Sequence, residues 1–287
     1  MLLTVSVGLW FLPPGAAGPV TQGPPPSGSR TEALHLADSL VAHVALPPGS
    51  ARLSGPVPPV FHRYGPPSAS IPDLAVASAL WTAPEPMDRV SVLTSARPPA
   101  GTRIVARERD AVPGQPPAEV VDYALTAAPP GIADGRVRVL IAPGRYGGSL
   151  VLAVALVPWY PPRSPAEYVP LGMRTVTVSV TIAGSRPRVV ARTFTSLAVV
   201  SRLAGLLNAM PATPFWGPRS CVVGWASYGV AFAAGPGSPP GLIAGTRACG
   251  SIAVTAGGMA QPPLDDQTAA LSRAAASLLG LKSPFFP

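Results

Sequence analysis

Residues 175–182 read Thr-Val-Thr-Val-Ser-Val-Thr-Ile, polar and apolar in strict alternation over eight positions. Successive side chains of a strand point to opposite faces, so this run predicts a strand with one covered and one solvated face. Ala183, Gly184, Ser185 and Arg186 follow as a turn signal, and apolar residues resume at 189–195, which predicts a hairpin. A sheet with one apolar face needs something packed on it, so the rest of the chain must supply a cover.

Further strands are predicted at 79–83, 103–109, 120–127, 137–142 and 150–157, and again within 221–256. The run at 150–157 is apolar nearly throughout, the pattern of a central strand covered on both faces. Gly144, Arg145, Tyr146, Gly147 and Gly148 read as the hairpin turn that leads into it. The cover is predicted as helices. Ser29, Arg30, Thr31 and Glu32 form a capping box, Leu34, Ala37, Leu40, Val41 and Val44 follow at helical spacing, and Pro47-Pro48-Gly49 stops the helix. A short helix follows Pro86 over 87–95, and another spans 197–210 with Val200, Leu203 and Leu207 on one face. The last helix is expected to start at Asp265 as its N-cap and to end at Gly280. Residues 50–78 read as irregular. The expected class is α+β, a largely antiparallel sheet with two to four helices packed on it and one disulfide.

Apolar residues are 47% of the chain and only 6% are aromatic, so the core must be built from Val, Leu and Ala. Residues 2–12, LLTVSVGLWFL, are too few to span a bilayer and suit the apolar stretch of an export signal; Gly15 and Ala17 are the small residues that a signal peptidase reads. No Lys or Arg precedes the run, so either the start lies upstream or the run is a buried strand; an exported chain is the reading adopted. The expected organisation is a signal-like segment (1–17), a Pro-rich linker (18–30), an N-terminal helix with an irregular α/β segment (31–115), a main α+β domain (116–282) and a tail (283–287). In an exported chain the pair Cys221 and Cys249 reads as a disulfide worth roughly 3–4 kcal/mol, the alternative being two separate buried thiols. The expected location is extracellular or in the cell envelope, with no membrane span in the mature chain.

The net charge is +8, yet the densest basic stretch interleaves Arg103, Arg107 and Arg109 with Glu108 and Asp110. Alternating signs mark a solvated strand face, so no nucleic-acid partner is expected. No metal or cofactor is expected either. His35, Asp38 and His43 share part of one helix surface without an obvious fourth ligand, His62 lies apart, and no CxxC occurs. No catalytic residue is assigned: Gly224, Trp225, Ala226, Ser227, Tyr228 and Gly229 lack the spacing of a nucleophile elbow. Asp122, in an otherwise apolar strand, is expected to pair with a buried partner such as Arg138 or Arg192 on a neighbouring strand, and Asp265 and Asp266 to serve a helix N-terminus. Trp159, Tyr160, Tyr168, Phe215 and Trp216 sit in proline-rich segments and are the candidates for a ligand groove, or else cap a core edge.

The stretch Val120-Val121-Asp122-Tyr123, the hairpin over 137–157, Trp159, Val169-Pro170, Leu207-Asn208-Ala209-Met210-Pro211, the cysteine pair and the closing helix to Leu279-Gly280 resemble a set of uncharacterised actinobacterial secreted proteins. The resemblance covers about 119–282 well and 31–115 loosely. It rests on the order of elements, implies export and a disulfide, and passes on no activity; the basic n-region usual in that set is lacking here.

The leading expectation is thus an exported, non-enzymatic envelope-associated or extracellular domain that binds a cell-envelope polymer or protein, or serves a structural role. The alternative is a secreted hydrolase with a site assembled from distant residues. A deep polar cleft uniting Asp122 or Glu167 with a His or Arg would favour the hydrolase; an apolar sheet face roofed by helices, with all acids on the rim, would favour the binding domain. A third reading, a basic module for anionic wall polymers, requires an arginine stripe on one face.

Overall fold

The computed structural model describes residues 27–64, 71–110, 116–183, 186–214, 226–246, 250–266 and 268–281. Two six-stranded antiparallel sheets and four helices make the fold α+β with sheet dominant. Where the sequence suggested one sheet, there are two, each with its own hydrophobic core.

The first sheet has the order β1-β2-β6-β5-β4-β3, with β1 Ala51–Leu53, β2 Leu74–Ala83, β3 Thr102–Asp110, β4 Ala118–Leu125, β5 Arg136–Pro143 and β6 Ser149–Pro158. Helix α1 (Arg30–Ala42) begins with the predicted capping box: Glu32 N donates to Ser29 Oγ, and Ser29 N donates to Glu32 Oε2. It lies over β2 and β6, which present Ala75, Ala77, Ala79, Ala153 and Ala155 to it. Small side chains let a helix sit close to a sheet, so a core this poor in aromatics still closes. Helix α2 (Met87–Ala96) covers β4 and β5 on the same face. The opposite face buries Leu80, Val120, Leu140, Leu152 and Val154 against Phe61 from a 3-10 turn over Pro59–Tyr64. Strand β6 is therefore covered on both faces, as its apolar run requires.

The second sheet has the order β12-β11-β10-β9-β7-β8, with β7 Thr175–Ile182, β8 Arg188–Phe194, β9 Ala226–Ala233, β10 Pro240–Thr246, β11 Ser251–Ala256 and β12 Met259–Asp265. The alternation that opened the sequence argument is realised: Val176, Val178 and Val180 face helices α3 (Leu197–Ala209) and α4 (Ala270–Leu278). Register places Tyr228, Val230 and Phe232 beside them. Residues of the other parity, such as Thr177, Ser179, Gly229 and Gly245, form a face of small and polar residues.

Three local expectations are corrected. Asp265 ends β12 and is not the N-cap of the last helix; that helix starts at Ala270 behind Ala269. Residues 51–53 and 74–78, read as irregular, are strand β1, which pairs with β2, and the start of β2, which pairs with β6. Residues 259–265, where no strand is predicted, form β12 at the sheet edge, where the missing N–H of Pro262 and Pro263 is tolerated. Cys221, Cys249, Phe215, Trp216 and residues 1–26 lie outside the described residues. No helix among the described residues is long and apolar enough to cross a membrane.

Candidate functional site

The chain leaves β6 through Trp159 and Tyr160 and enters the second sheet at β7. Trp159 N donates to Asp73 O, and its side chain is buried in the core of the first sheet. Tyr160 N donates to Gly131 O and Tyr160 O accepts from Gly28 N. Gly131 has φ +82°, and a Cβ there would stand 2.7 Å from Gly28 Cα, so this crossing needs glycine. The Tyr160 hydroxyl points the other way and donates to Asp265 Oδ2 at 3.3 Å. Tyr160 thus ties the first sheet to the end of β12.

Arg163 secures the next few residues. Its side chain is 1% exposed. Nη1 donates to Leu207 O, Asn208 O and Met210 O at 3.0, 2.9 and 2.9 Å, at the end of α3, where Leu207 O also accepts from Met210 N. Nη2 donates to Glu167 O, Nε stands 3.6 Å from Glu167 Oε2, and the guanidinium lies 4.1 Å from the centroid of the Tyr168 ring. Burial pushes the Arg163 pKa down, and the neighbouring Tyr168 and Glu167 oppose that shift. Ser164 and Glu167 form a second capping box.

On the other side, β12 is stitched to the segment after α3 by Asp265 N to Pro211 O (2.9 Å) and Thr213 N to Pro263 O (2.7 Å). The Asp266 carboxylate accepts from the first amides of α4: Ala270 N at 2.7 Å and Leu271 N at 3.0 Å. The sequence reading of an acidic group at this helix N-terminus therefore holds for Asp266. Ala269 is held at φ 51°, a left-handed conformation that L residues rarely adopt, so the chain turns sharply into α4.

These elements line an open cleft of about 340 Å³. Leu206, Ala209, Met210, Pro211 and Ala270 make an apolar wall, and Tyr160, Asp265, Asp266 and Thr268 supply the polar groups. Asp265 and Asp266 are each 4% exposed. The volume falls in the range of small-molecule sites, and the chemistry suits a ligand with an apolar body and hydrogen-bond donors.

Of the five aromatics proposed for a groove, Tyr160 lines this pocket, Trp159 is buried in the first core, Tyr168 stacks on Arg163, and Phe215 and Trp216 lie outside the described residues. Sequence reasoning missed Arg163, although the Ser164-to-Glu167 spacing beside it was a readable signal. Asp122 pairs with Arg138 as anticipated, Nε and Nη2 each donating to its carboxylate at 2.8 Å across neighbouring strands, but the partner expected to be buried is half exposed. His43 Nδ1 meets Ser39 O, His62 Nε2 meets Val57 O, and both rings are exposed. No group of three or more His, Cys, Asp or Glu suited to a metal occurs among the described residues.

A second polar cluster, also unforeseen, lies beneath α2. Ser91 Oγ donates to Glu119 Oε2, and Arg107 Nη2 lies 3.0 Å from Ser91 Oγ and 3.3 Å from Glu119 Oε2. Nearby, Tyr123 Oη donates to Thr94 O at 2.8 Å. Burial pushes the Tyr123 pKa up to about 12, against the opposing effects of the Thr94 bond and Arg107. Glu119, Ser91 and Arg107 bind α2 to the sheet and open on no pocket described above.

Comparison with family models, with curated proteins and with solved structures returns no match, so the functional reading rests on the geometry and on the sequence.

Proposed function

We propose that the chain is an exported, envelope-associated or extracellular binding protein without catalytic activity, and that its ligand sits in the pocket between Tyr160, the end of α3 and the start of α4. The observation that carries this reading is the way the polar groups around the pocket are employed. Asp266 is committed to the α4 amides, Tyr160 to Asp265, and Arg163 to Glu167 and the α3 carbonyls. Such groups are held in place before any ligand arrives, which favours binding. The second sheet's apolar face roofed by α3 and α4 supports the same reading, while the acids Glu119, Glu167, Asp265 and Asp266 are buried and do not lie on a rim. Glu167 does meet an arginine, but as a buried pin and not across a cleft, and Asp122 pairs with Arg138 on a strand face; neither lines the pocket.

The apolar run at 2–12 supports export, and the two cysteines support a disulfide formed outside the cell. The ligand class that fits is a small fragment of an envelope polymer, such as an N-acetylated amino sugar or a short wall peptide, with an apolar patch and amide donors. The test is calorimetric titration of the purified chain with soluble wall fragments, repeated with Leu206→Trp, which fills the pocket. Saturable binding lost in the variant, with an unchanged far-UV spectrum, supports the proposal. Binding that survives the filled pocket, or turnover of the fragments, refutes it; turnover would restore the hydrolase reading.

A further inference from the structure

Four strands end the two sheets, and three of them are blunted by shortness, a bulge or proline. Strand β1 has three residues. Strand β3 carries a bulge between Ile104 and Ala106 and the charges of Arg103, Arg107, Glu108 and Arg109. Strand β12 contains Pro262 and Pro263, a register shift opposite Ile252 and Val254, and the covering segment at 211–213. Strand β8 carries the charges of Arg188 and Arg192, but among the described residues it has no bulge, no internal proline and no covering segment. It runs over seven residues, RVVARTF, in unbroken register with β7, from Val176–Phe194 to Ile182–Arg188. Among the described residues no strand pairs with its outer edge. Val189 is 65% exposed, and so is Leu197 (64%) where α3 begins.

The chemistry along this edge is ordered. Register with Val176, Val178 and Val180 places Arg188, Val190, Arg192 and Phe194 on the helix side of the sheet, cation alternating with apolar group. The Arg192 guanidinium lies 5.1 Å from the centroid of the Phe194 ring. No ion pair joins Arg188 or Arg192 to a carboxylate among the described residues. The surroundings explain why: between Glu167 and Asp265 the sequence holds seven arginines and neither Asp nor Glu. Among the described residues the second sheet is therefore basic in character, with the outer edge of β8 open.

We propose that β8 receives an extended acidic segment of a partner protein, which adds to the second sheet as a seventh strand. Main-chain hydrogen bonds along the open edge supply the affinity, and alternate side chains supply the specificity. On the helix side, the incoming strand places carboxylates beside Arg188 and Arg192 and apolar groups beside Val190 and Phe194, which calls for acidic residues four apart with apolar residues midway between them. Charge complementarity selects this occupant over a second copy of the chain, because two β8 strands would bring four arginines together.

The test uses the full chain and a fluorescein-labelled synthetic peptide of about nine residues repeating Glu-Thr-Val-Thr, a length typical of strands. Fluorescence anisotropy should show saturable binding that weakens with added salt. The double variant R188E/R192E should weaken it by at least about tenfold, with R188Q/R192Q as a milder second variant. Amide hydrogen exchange across 188–194 should slow when the peptide binds. A Lys-for-Glu peptide, and an acidic peptide with proline at alternate positions, should not bind. Equal binding of the proline peptide, unchanged exchange at β8, or unchanged affinity in both folded double variants overturns the proposal. So does sedimentation showing a dimer of the chain alone that R188E/R192E dissociates, since β8 would then serve a second copy.

Discussion

Replacing Arg163 by Met keeps the length of the side chain and removes its charge and its hydrogen bonds. Three carbonyls at the end of α3 lose a donor at 2.9–3.0 Å, and the Glu167 carboxylate, 2% exposed, loses the cation 3.6 Å away. Removing one partner of a buried pair costs about 3–5 kcal/mol because the other charge stays buried. Each unsatisfied carbonyl costs about 1–3 kcal/mol by itself, but these losses overlap with the first and are not summed. The expected loss is therefore about 3–5 kcal/mol, or roughly 6–20 °C in Tm for a domain of this order of size. Calorimetry and urea unfolding of the wild type, Arg163→Met, Glu167→Gln and the double variant measure it. The double variant should recover part of the loss, because it removes the stranded carboxylate. A cost below about 1 kcal/mol for Arg163→Met, or strict additivity in the cycle, would refute the view that Arg163 pins α3 to the segment between the sheets.

Three further outcomes follow from other parts of the fold. Burial raises the Tyr123 pKa from 10.0 to about 12, so the stability it contributes is complete below pH 10 and is lost as pH rises toward 12. Tyr123→Phe should cost about 1 kcal/mol at neutral pH through the lost bond to Thr94 O. Above pH 10 its gap from the wild type should close, by up to about 1.4 kcal/mol per pH unit, and a constant gap in urea melts from pH 9 to 11 would count against a buried neutral phenol. Asp122→Asn should cost no more than about 1 kcal/mol in urea melts, because Arg138 is 46% exposed, and a loss of 3 kcal/mol or more would show that the pair is desolvated. Ala269→Gly should stabilise by about 0.5–1 kcal/mol, since glycine takes φ 51° without strain; a fall in Tm would contradict the left-handed turn before α4.

The elements that could be read in the sequence are those whose periodicity is set by a single sheet face or helix face. Residues 175–182 alternate because one face of β7 meets α3 and α4, and 150–157 do not alternate because both faces of β6 are buried. The α1 capping box was legible because its two hydrogen bonds join residues three apart. What was not legible depends on long-range pairing. That the strands divide into two sheets is decided by the pairing of β2 with β6 and of β7 with β9, neither of which leaves a local mark. The prolines of β12 argue against a strand until its place at the edge is known. The pocket unites Tyr160 with Asp265, 105 positions away, so no spacing rule could have found it.

Whether the chain works outside the cell is tested most directly by intact mass spectrometry of the protein recovered from the host's culture supernatant and envelope, with alkylation before and after reduction. The expected result is a chain beginning at Gly18 whose two cysteines, Cys221 and Cys249, resist alkylation until a reductant is added. An unprocessed chain inside the cell, with both thiols open to alkylation from the start, would contradict export and the disulfide together.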